Sequence, residues 1–374
     1  MKGSDIMAEK AYKYRIYPNK KQQKLIQKTF GCTRFVYNYY LDKRIKTYEQ
    51  DKTTFTYNMC SKNLTQLKKE LIWLKEPDKD SLQKSLKDLD MAYQKFFKEH
   101  SGYPKFKSKK DRHKSYRTSC TNNNIRFENK HIKLPKLGLV KVRDKQIPQG
   151  RILNATISQE SNGQYYCSLC CTDVTFEQLP KTNRNIGLDL GLVDFAILSD
   201  GNKIDNPRFY EKSEKKLAKL QRELSRKTIG SNRWNKARVK VAKLQKHISN
   251  QRNDFLQKIS TSIVQNFDVI SIEDLDVKSM KETDSNTRNK RVGDVSWSEF
   301  RRMLTYKCEW YGKTLSVVDR YFPSSQICHC CGHRDSKKDE SVRNWICPEC
   351  HSELDRDINA AINILNEGLR LVNN

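Results

Sequence analysis

The sequence predicts an α/β protein of more than one domain, with a zinc ribbon near its C terminus. Its 374 residues are enough for two or three domains. Segments with the apolar pattern of strands alternate with segments that have the pattern of helices. Close to the C terminus, two C-x2-C pairs are separated by fifteen residues, which is a spacing typical of zinc ribbons.

The charge of the chain is its second informative property. Lys and Arg number 72 against 44 Asp and Glu, a formal net charge of +28, and 36% of the residues are hydrophobic. An excess of this size predicts a polyanionic partner, most simply nucleic acid, although a merely solvated basic surface would have the same composition. No apolar run approaches the ~20 residues of a membrane span, and no apolar signal segment opens the chain. We therefore expect no membrane association and a reducing cytosol in which the cysteines form no disulfides.

The N-terminal part is predicted to be one strand followed by helices. Residues 10–17 alternate in polarity like a strand, and the pattern from residue 20 to about residue 97 is mostly helical. Within it, the apolar residues of segment 82–97 recur every three or four positions, which places them on one face of a helix. Asp80 or Ser81 is the expected N-cap of that helix.

A basic segment and a group of strands follow. Residues 103–117 combine Lys and Arg with interleaved aromatic residues, which suits a phosphate backbone with base stacking, although a solvated basic loop is the alternative. The candidate contacts are Lys105, Lys107, Lys109 and Lys110. Residues 124–179 predict short strands separated by turns. The run 165–171 (YYCSLCC) is interpreted as a core strand rather than half of a metal site.

The middle of the chain predicts a hairpin of strands and then a hairpin of helices. Residues 186–200 form two apolar stretches about a turn at Gly191, which indicates a buried β-hairpin. Segments 211–227 and 232–265 predict an antiparallel helical hairpin with an apolar seam. Its basic outer faces could bind phosphates or could simply be solvated.

The remaining elements alternate strand and helix. The apolar segment 267–275 predicts a buried strand that ends in carboxylates. Residues 281–294 are polar and predict a mobile loop. A helix over 296–311 and a strand over 314–319 are expected next, and residues 355–369 predict a final helix with one apolar side.

Three acids lie where apolar structure meets a loop or the start of a helix: Asp189, Glu273 and Asp357. A charged side chain in an apolar strand costs several kcal/mol unless it is compensated, and a divalent metal is such a compensation. Two Mg²⁺ ions bridged by carboxylates can activate water and stabilise the leaving 3′ oxygen of a phosphodiester. Each acid could instead cap a helix or pair with one of the many cations.

The zinc ribbon is predicted to be structural. Its expected ligands are Cys328, Cys331, Cys347 and Cys350. Four thiolates fill a tetrahedral site and leave no position for water, so a catalytic zinc is not expected. Cys330 offers an alternative register for the first pair.

Several segments, in this order, resemble the split RuvC-type nuclease domain of the TnpB family of transposon-encoded RNA-guided nucleases. They are IGLDLGLVDFAILSDG, VISIEDLDVKSM, the C-x2-C pair and LDRDINAAINIL, and the N-terminal blocks beginning at YKYRIYPNKK and TYNMCSKNL agree. The resemblance implies an RNase H-like fold in which Asp189, Glu273 and Asp357 are the catalytic acids. Asp357 is preferred over Asp355 because, in the family, one residue lies between the acid and the Asn-Ala-Ala run; here that residue is Ile358. Asp355 is then a supporting residue or a helix cap.

The resemblance also implies a function. It is the RNA-guided, Mg²⁺-dependent cleavage of double-stranded DNA next to a short target-adjacent motif, by a protein encoded by an insertion sequence. The expected partners are a guide RNA from the transposon end, with one protein per RNA, and target DNA; the expected ions are two catalytic Mg²⁺ and one structural Zn²⁺. By motif position, the candidates for reading the adjacent motif are Tyr57, Ser61, Lys79, Gln83 and Thr118. The resemblance also implies a prokaryotic cytoplasmic protein, associated with the nucleoid when bound to DNA. The alternatives are a nuclease-inactive RNA-guided repressor and a DNA-joining transposase.

The architecture implied by the resemblance is bilobal and combines α/β and β domains. A β-barrel wedge domain is expected over residues 1–20 and 100–182, with a helical recognition lobe inserted over 21–99. A RuvC-like nuclease domain is expected over 183–320 and 355–374. The zinc ribbon is expected as an insertion over 321–354.

Overall fold

The computed structural model describes residues 6–111, 113–144, 146–277, 279–281, 286–336 and 342–373. The chain divides into two compact units. They are called here the N-terminal unit, residues 7–175, and the C-terminal unit, residues 176–374 together with the first six residues. No helix in the described part of the chain combines the length and the apolar character needed to cross a bilayer.

The N-terminal unit contains three long helices and a sheet. Its elements are β1 (Ile6–Tyr17), α1 (Lys20–Asp51), α2 (Tyr57–Glu70), α3 (Lys79–Glu99), β2 (Lys114–Ser119), β3 (Arg126–Glu128), β4 (His131–Leu134), β5 (Gly138–Val142), β6 (Arg151–Gln159) and β7 (Tyr165–Phe176). Over the described residues the sheet order is β2-β6-β7-β1-β5-β4-β3. The helices bury a core of their own, which includes Val36, Leu64 and Leu86. The predicted strand, helical region and strand group are all confirmed, and YYCSLCC lies in β7.

The predicted N-cap of α3 is wrong by two or three residues. The helix begins at Lys79 and its N-cap is Asp78. The two expected caps have other partners: the carboxylate of Asp80 accepts a hydrogen bond from the backbone N–H of Ser119, and the Ser81 hydroxyl donates to the carbonyl of Asp78 at 2.6 Å. Contacts with β2, which is distant in sequence, therefore decide where this helix starts.

The C-terminal unit is an α/β fold with a mixed sheet. Its elements are β8 (Asn185–Asp189), β9 (Asp194–Leu198), β10 (Lys203–Asp205), α4 (Phe209–Ser225), α5 (Asn232–Asn266), β11 (Val269–Glu273), α6 (Asn286–Val295), α7 (Trp297–Tyr311), β12 (Thr314–Val318), β13 (Asn344–Ile346), β14 (Glu353–Asp355) and α8 (Arg356–Asn373). In the described ranges the main sheet has the order β10-β9-β8-β11-β12. β8, β11 and β12 are parallel, and β8 with β9 forms the predicted antiparallel hairpin.

The predicted loop over 281–294 is wrong where the structure describes it. Residues 286–295 form α6, while residues 282–285 lie outside the described residues. The helix is fixed by long-range contacts: Val292 and Val295 are buried in the core. The Asp294 carboxylate accepts hydrogen bonds from the backbone N–H of Tyr210 at 2.9 Å and from Arg252 at 2.5 Å. A polar segment that lacks an apolar period can still be helical when its partners are far away in sequence.

Helices cover both faces of the main sheet, and small residues let α8 come close. α5 and α7 bury apolar residues against one face, including Leu256 and Phe300. On the other face, Gly187, Ser271 and Ser316 stand in one row across β8, β11 and β12. The Ser316 hydroxyl donates to the carbonyl of Gly368 in α8 at 3.0 Å. Because the side chains of this row are small, the backbone of α8 can pack directly against the sheet.

Gly187→Ala is expected to lower the stability of the C-terminal unit by about 1–3 kcal/mol, because it overpacks this contact. A Cβ on Gly187 would lie 2.1 Å from the carbonyl oxygen of Ala361 and 2.7 Å from the backbone nitrogen of Leu365, so α8 would have to shift. Thermal denaturation of the purified protein measures the change. In the control Gly31→Ala, the added methyl meets nothing within 4 Å and should stabilise α1 by about 0.5–1 kcal/mol. Equal transition temperatures for the wild type and Gly187→Ala would contradict the packing argument.

Candidate active site and metal centre

The three predicted acids converge at one edge of the main sheet. Asp189 and Glu273 are the last residues of the neighbouring parallel strands β8 and β11. Each follows the small-residue row by two positions, so both side chains lie on the face that α8 covers. Asp357 is in the first turn of α8, one turn before Ala361, whose carbonyl faces Gly187. Residues far apart in sequence are thereby brought to one site.

The three carboxyl groups are close enough for two of them to act electrostatically on the third. Burial raises the pKa of Asp189, the charges of Glu273 and Asp357 raise it further, and two arginines oppose them, so that the pKa reaches about 8. Burial also raises the pKa of Glu273, partly offset by a hydrogen bond from the Ser324 hydroxyl. Carboxyl groups whose ionisation is disfavoured by burial and by one another's charge bind cations strongly.

Asp357 is held by two arginines. It is 8% exposed and accepts a hydrogen bond from Arg343 at 2.6 Å and one from Arg356 at 3.2 Å, each on a different carboxylate oxygen. Arg343 precedes β13, in the segment between the two cysteine pairs. Because both oxygens of Asp357 have cationic partners, an ion shared by all three acids would compete with the arginines for this carboxylate.

Asp355 has a different role from Asp357. Its carboxylate accepts hydrogen bonds from the backbone N–H groups of Asp357 at 2.9 Å and Ile358 at 3.0 Å, and it pairs with Lys203 at 3.1 Å. It is therefore the cap at the start of α8, one of the two roles that the sequence left open. By fixing the first turn of the helix, it also fixes Asp357.

The acidic site fits a divalent ion by the chemistry of its donors. Carboxylate oxygens are the ligands that Mg²⁺ takes. The raised pKa of Asp189 reflects burial first, and then neighbouring negative charges that the nearby arginines only partly compensate. Among the described residues, however, the one group of potential ligands close enough to share an ion is the cysteine cluster. The arginine contacts of Asp357 give a physical reason why the acids are less tightly grouped.

The four predicted cysteines form a compact cluster. Their sulfur atoms all lie within 4.8 Å of one another, and the Cys328–Cys350 and Cys331–Cys347 sulfur distances are both 3.6 Å. A tetrahedral zinc with bonds of ~2.3 Å places its sulfurs about 3.8 Å apart, so the cluster fits zinc. Cys330 is exposed and is not part of the cluster. Buried Trp345 and Leu354 pack beside the sulfurs.

Three of the five candidates for reading a target-adjacent motif lie together. The hydroxyls of Tyr57 and Ser61 in α2 donate to the side-chain oxygen of Gln83 in α3, at 3.4 and 3.2 Å. Lys79 is exposed on α3, one turn before Gln83. Thr118 is 1% exposed and donates to the carboxylate of Asp78 at 2.6 Å, so it supports the start of α3 from β2.

The candidate lysines lie in the segment between α3 and β2. Lys105, Lys107, Lys109 and Lys110 are all exposed. The ammonium of Lys107 lies 4.0 Å from the centre of the Tyr37 ring, while the segment is attached to α1 through hydrogen bonds between Lys107 and Asn38. A tethered segment with exposed ammonium groups is suited to contact phosphates.

Several residues of the site were not predicted from the sequence. They are Ser324, Arg343, Arg356, Asn359 and Asn363. Asn359 and Asn363 carried a signal that could have been used, because buried amides four residues apart in an apolar helix require partners. Arg343 carried none, since a basic residue between two cysteine pairs is normally solvated.

Models of protein families match three parts of the chain. One described as "Probable transposase" matches residues 164–284, and one described as "Cas12f1-like, TNB domain" matches residues 297–364. A third, described as "Helix-turn-helix domain", matches residues 7–53, which here form most of β1 together with α1 and the two residues that follow it. The first two matches contain Asp189, Glu273, the cysteine cluster and Asp357.

Whole proteins match over nearly the full length. A "Putative RNA-guided DNA endonuclease" of Streptomyces pristinaespiralis is 38% identical over 366 residues, 96% of this chain and 90% of the relative. The "Putative RNA-guided DNA endonuclease InsQ" of Escherichia coli (strain K12) is 33% identical, over 96% of this chain and 92% of the relative. A chain in a cryo-EM structure of a Cas12f1–sgRNA–target DNA complex is 14% identical with a TM-score of 0.37, over 96% of this chain and 99% of that chain, a likeness too low to support a conclusion. On the identity to the two relatives, together with the blocks recognised in the sequence, the chain belongs to the TnpB family.

Proposed function

We propose that this protein is an RNA-guided endonuclease that hydrolyses both strands of DNA next to a short target-adjacent motif, in a Mg²⁺-dependent reaction. The observation that carries the proposal is the convergence of Asp189, Glu273 and Asp357 at one buried edge of the sheet. The names of the two near-full-length relatives support it. An insertion sequence is the expected origin of the gene.

We further propose that the C-terminal unit is an RNase H-like nuclease domain of the RuvC type over residues 183–320 and 355–374. The cysteine cluster is then a zinc ribbon inserted over 321–354. Residues 1–20 and 100–182 would form the wedge domain and 21–99 the recognition lobe, and most of both lie in the N-terminal unit. The parallel strands β8 and β11, whose ends carry the acids, support the first assignment.

In this proposal the three acids would hold two Mg²⁺ ions, which activate water and stabilise the leaving 3′ oxygen when bound. The chain's own residues prepare the site. The Ser324 hydroxyl orients Glu273, and Asp355 fixes the turn that presents Asp357. Arg343, which is half exposed, neutralises Asp357 until a cation arrives and is then free to contact a phosphate oxygen of the DNA.

The composition supports nucleic-acid partners. A net charge of +28 favours a guide RNA, transcribed from the transposon end, and a target duplex paired with it. Base pairing would supply sequence specificity, so the protein would mainly recognise the backbone and the adjacent motif. We propose Lys105, Lys107, Lys109 and Lys110 as phosphate contacts. The cluster of Tyr57, Ser61 and Gln83, with Lys79 beside it and Thr118 behind it, is proposed to read the motif.

One experiment separates this function from its alternatives. The protein is purified with its co-expressed RNA and given Mg²⁺ and a matching duplex, in parallel with Asp189→Ala. Guide-dependent cutting that is lost in Asp189→Ala supports the endonuclease. RNA-dependent binding without cutting would instead indicate a repressor. Strand joining without RNA would indicate a transposase, the activity named by the family model over 164–284.

A further inference from the structure

Two buried asparagines of α8 bind residues 324–329, the segment that contains Cys328 and leads to the rest of the first cysteine pair. Asn363 donates to the carbonyls of Ser324 at 2.8 Å and Ile327 at 2.6 Å. Asn359 donates to the same carbonyl of Ile327 at 2.7 Å and accepts from both the backbone and the ring nitrogen of His329 at 2.9 Å. Asn359 is 1% exposed and Asn363 is 5% exposed. Residues 324–329 are therefore attached to the helix that carries Asp357.

The same segment holds a second acid. The Ser324 hydroxyl donates to the Glu273 carboxylate at 2.6 Å, and Ser324 itself is 7% exposed. A continuous path thus runs from Glu273 through Ser324 and Asn363 to α8, the helix that carries Asp357 in its first turn. The second cysteine pair reaches this helix separately, because β14 pairs with β13 and continues directly into α8.

The chemistry of these contacts argues against a role in folding alone. The asparagine amides satisfy carbonyls that would otherwise be buried without partners, which any stable fold requires. The Ser324 hydroxyl instead donates to the carboxylate of Glu273, one of the acids proposed to hold the metal. A hydrogen bond to one oxygen of such a carboxylate fixes the orientation of the whole group.

We infer that Ser324 and Asn363 are positioning residues that couple the first cysteine knuckle to Glu273 and Asp357, so that the ribbon sets the geometry of the acidic site. The inference rests on the proposed function, in which these acids hold the metal. It assigns the ribbon a task beyond its own stability. Groups that orient metal ligands typically change metal affinity by about 10–100-fold when they are removed.

The test measures metal binding without DNA cleavage. Mn²⁺ is titrated into the protein–RNA complex and the free ion is followed by electron paramagnetic resonance. Ser324→Ala is expected to weaken Mn²⁺ binding by about 10–100-fold and to raise the Mg²⁺ concentration needed for cleavage by a similar factor. Ser324→Thr keeps the hydroxyl and should restore both. Ser325→Ala removes the neighbouring hydroxyl and serves as the matched control.

Asn363→Asp tests the other end of the path. A carboxylate cannot donate to the carbonyls of Ser324 and Ile327, so metal binding should weaken in the same direction. Asn366→Asp makes the same change at an exposed position of α8 and should have no effect. Zinc content and guide RNA affinity are measured on every variant and are expected to match the wild type.

Three results would overturn the inference: unchanged Mn²⁺ affinity in Ser324→Ala, no restoration by Ser324→Thr, or a loss of zinc or RNA binding in proportion to the loss of Mn²⁺. Either of the first two results would show that the hydrogen bond from Ser324 to Glu273 does not position the acids. The third would show that these residues act in folding alone. Metal binding that responds as expected in a protein that cuts no DNA would support the inference and reject the proposed function.

Discussion

Asp189→Asn is expected to stabilise the protein near pH 8 when no Mg²⁺ is present. Burial and the charges of Glu273 and Asp357 raise the pKa of Asp189 from its ordinary 3.8 to about 8, against the opposing arginines. Near pH 8 the folded protein therefore carries a carboxyl group whose ionisation it disfavours. Asparagine has nearly the same shape and no charge. We expect a gain on the order of 3 kcal/mol in the free energy of unfolding.

The sign of the pH dependence follows from the direction of the shift. A raised pKa means that the folded state binds the proton more tightly than the unfolded state. The stability that this proton contributes is complete below about pH 4 and is lost as the pH rises towards 8. Asp189→Asn should accordingly gain little near pH 5 and most near pH 8. Urea denaturation of RNA-free protein at several pH values, with zinc retained, measures the difference.

Asp355→Asn is the matched control, and its effect should have the opposite sign. Burial raises the pKa of Asp355, but hydrogen bonds from Ile358, Lys203 and Asp357 outweigh it and lower the pKa below its ordinary value. Its stabilising effect is present above about pH 4 and is lost on acidification, so its removal should destabilise the protein at pH 8. If Asp189→Asn gained no more stability over the wild type at pH 8 than at pH 5, the argument from burial and repulsion would be wrong.

Asp189→Asn is also expected to reduce target cleavage by about 10³-fold or more, because it removes a ligand of the proposed metal ions. Guide RNA binding and target binding should remain, since Asp189 lies in a buried acidic site rather than on the basic surface. The charge that costs stability is thus the charge that the proposed reaction needs. A conflict of this kind is common at active sites.

The sequence predicted this site because its acids interrupt apolar strands. In β8 and β11 the pattern is a small residue, an apolar residue and an acid: Gly187 to Asp189, and Ser271 to Glu273. Asp189 and Glu273 stand out by the apolar residues around them, whereas the choice of Asp357 over Asp355 comes from the resemblance to the TnpB family. The small residues were not used, although they place α8 close to the sheet and so bring Asp357 to the other two. Which small residue faces a helix depends on strand register, which the sequence does not show.

The unpredicted parts depend on contacts between residues far apart in sequence. Residues 286–295 have no apolar period, yet they fold as α6 because Val292 and Val295 enter the core and Asp294 binds Arg252. The partner of Arg343 is Asp357, which becomes its neighbour only when β13 pairs with β14. Local patterns identify the elements, whereas pairings of this kind decide their ends and their polar contacts.

Removal of the zinc ligands is expected to have the second large effect. Cys347→Ser should release the metal and unfold the ribbon, because a structural zinc typically contributes about 10–16 kcal/mol, more than a small lobe with a core of a few residues can replace. Cleavage should fall by at least about 100-fold, since β14 leads directly into the helix that carries Asp357. Zinc per protein chain, measured by elemental analysis, should fall from about one to nearly none.

Cys330→Ser distinguishes this ligand set from the alternative register. Cys330 is exposed and adjoins Cys331 in sequence, yet it lies outside the group of four sulfurs. The variant therefore removes a neighbouring thiol and should keep both its zinc and its cleavage activity. If it lost zinc while Cys331→Ser retained it, Cys330 would be the true ligand and the sulfur distances seen here would not represent the metal-bound site. If both variants kept zinc, the remaining three cysteines would be sufficient, and the ribbon could not be the rigid support from which Asp357 is positioned.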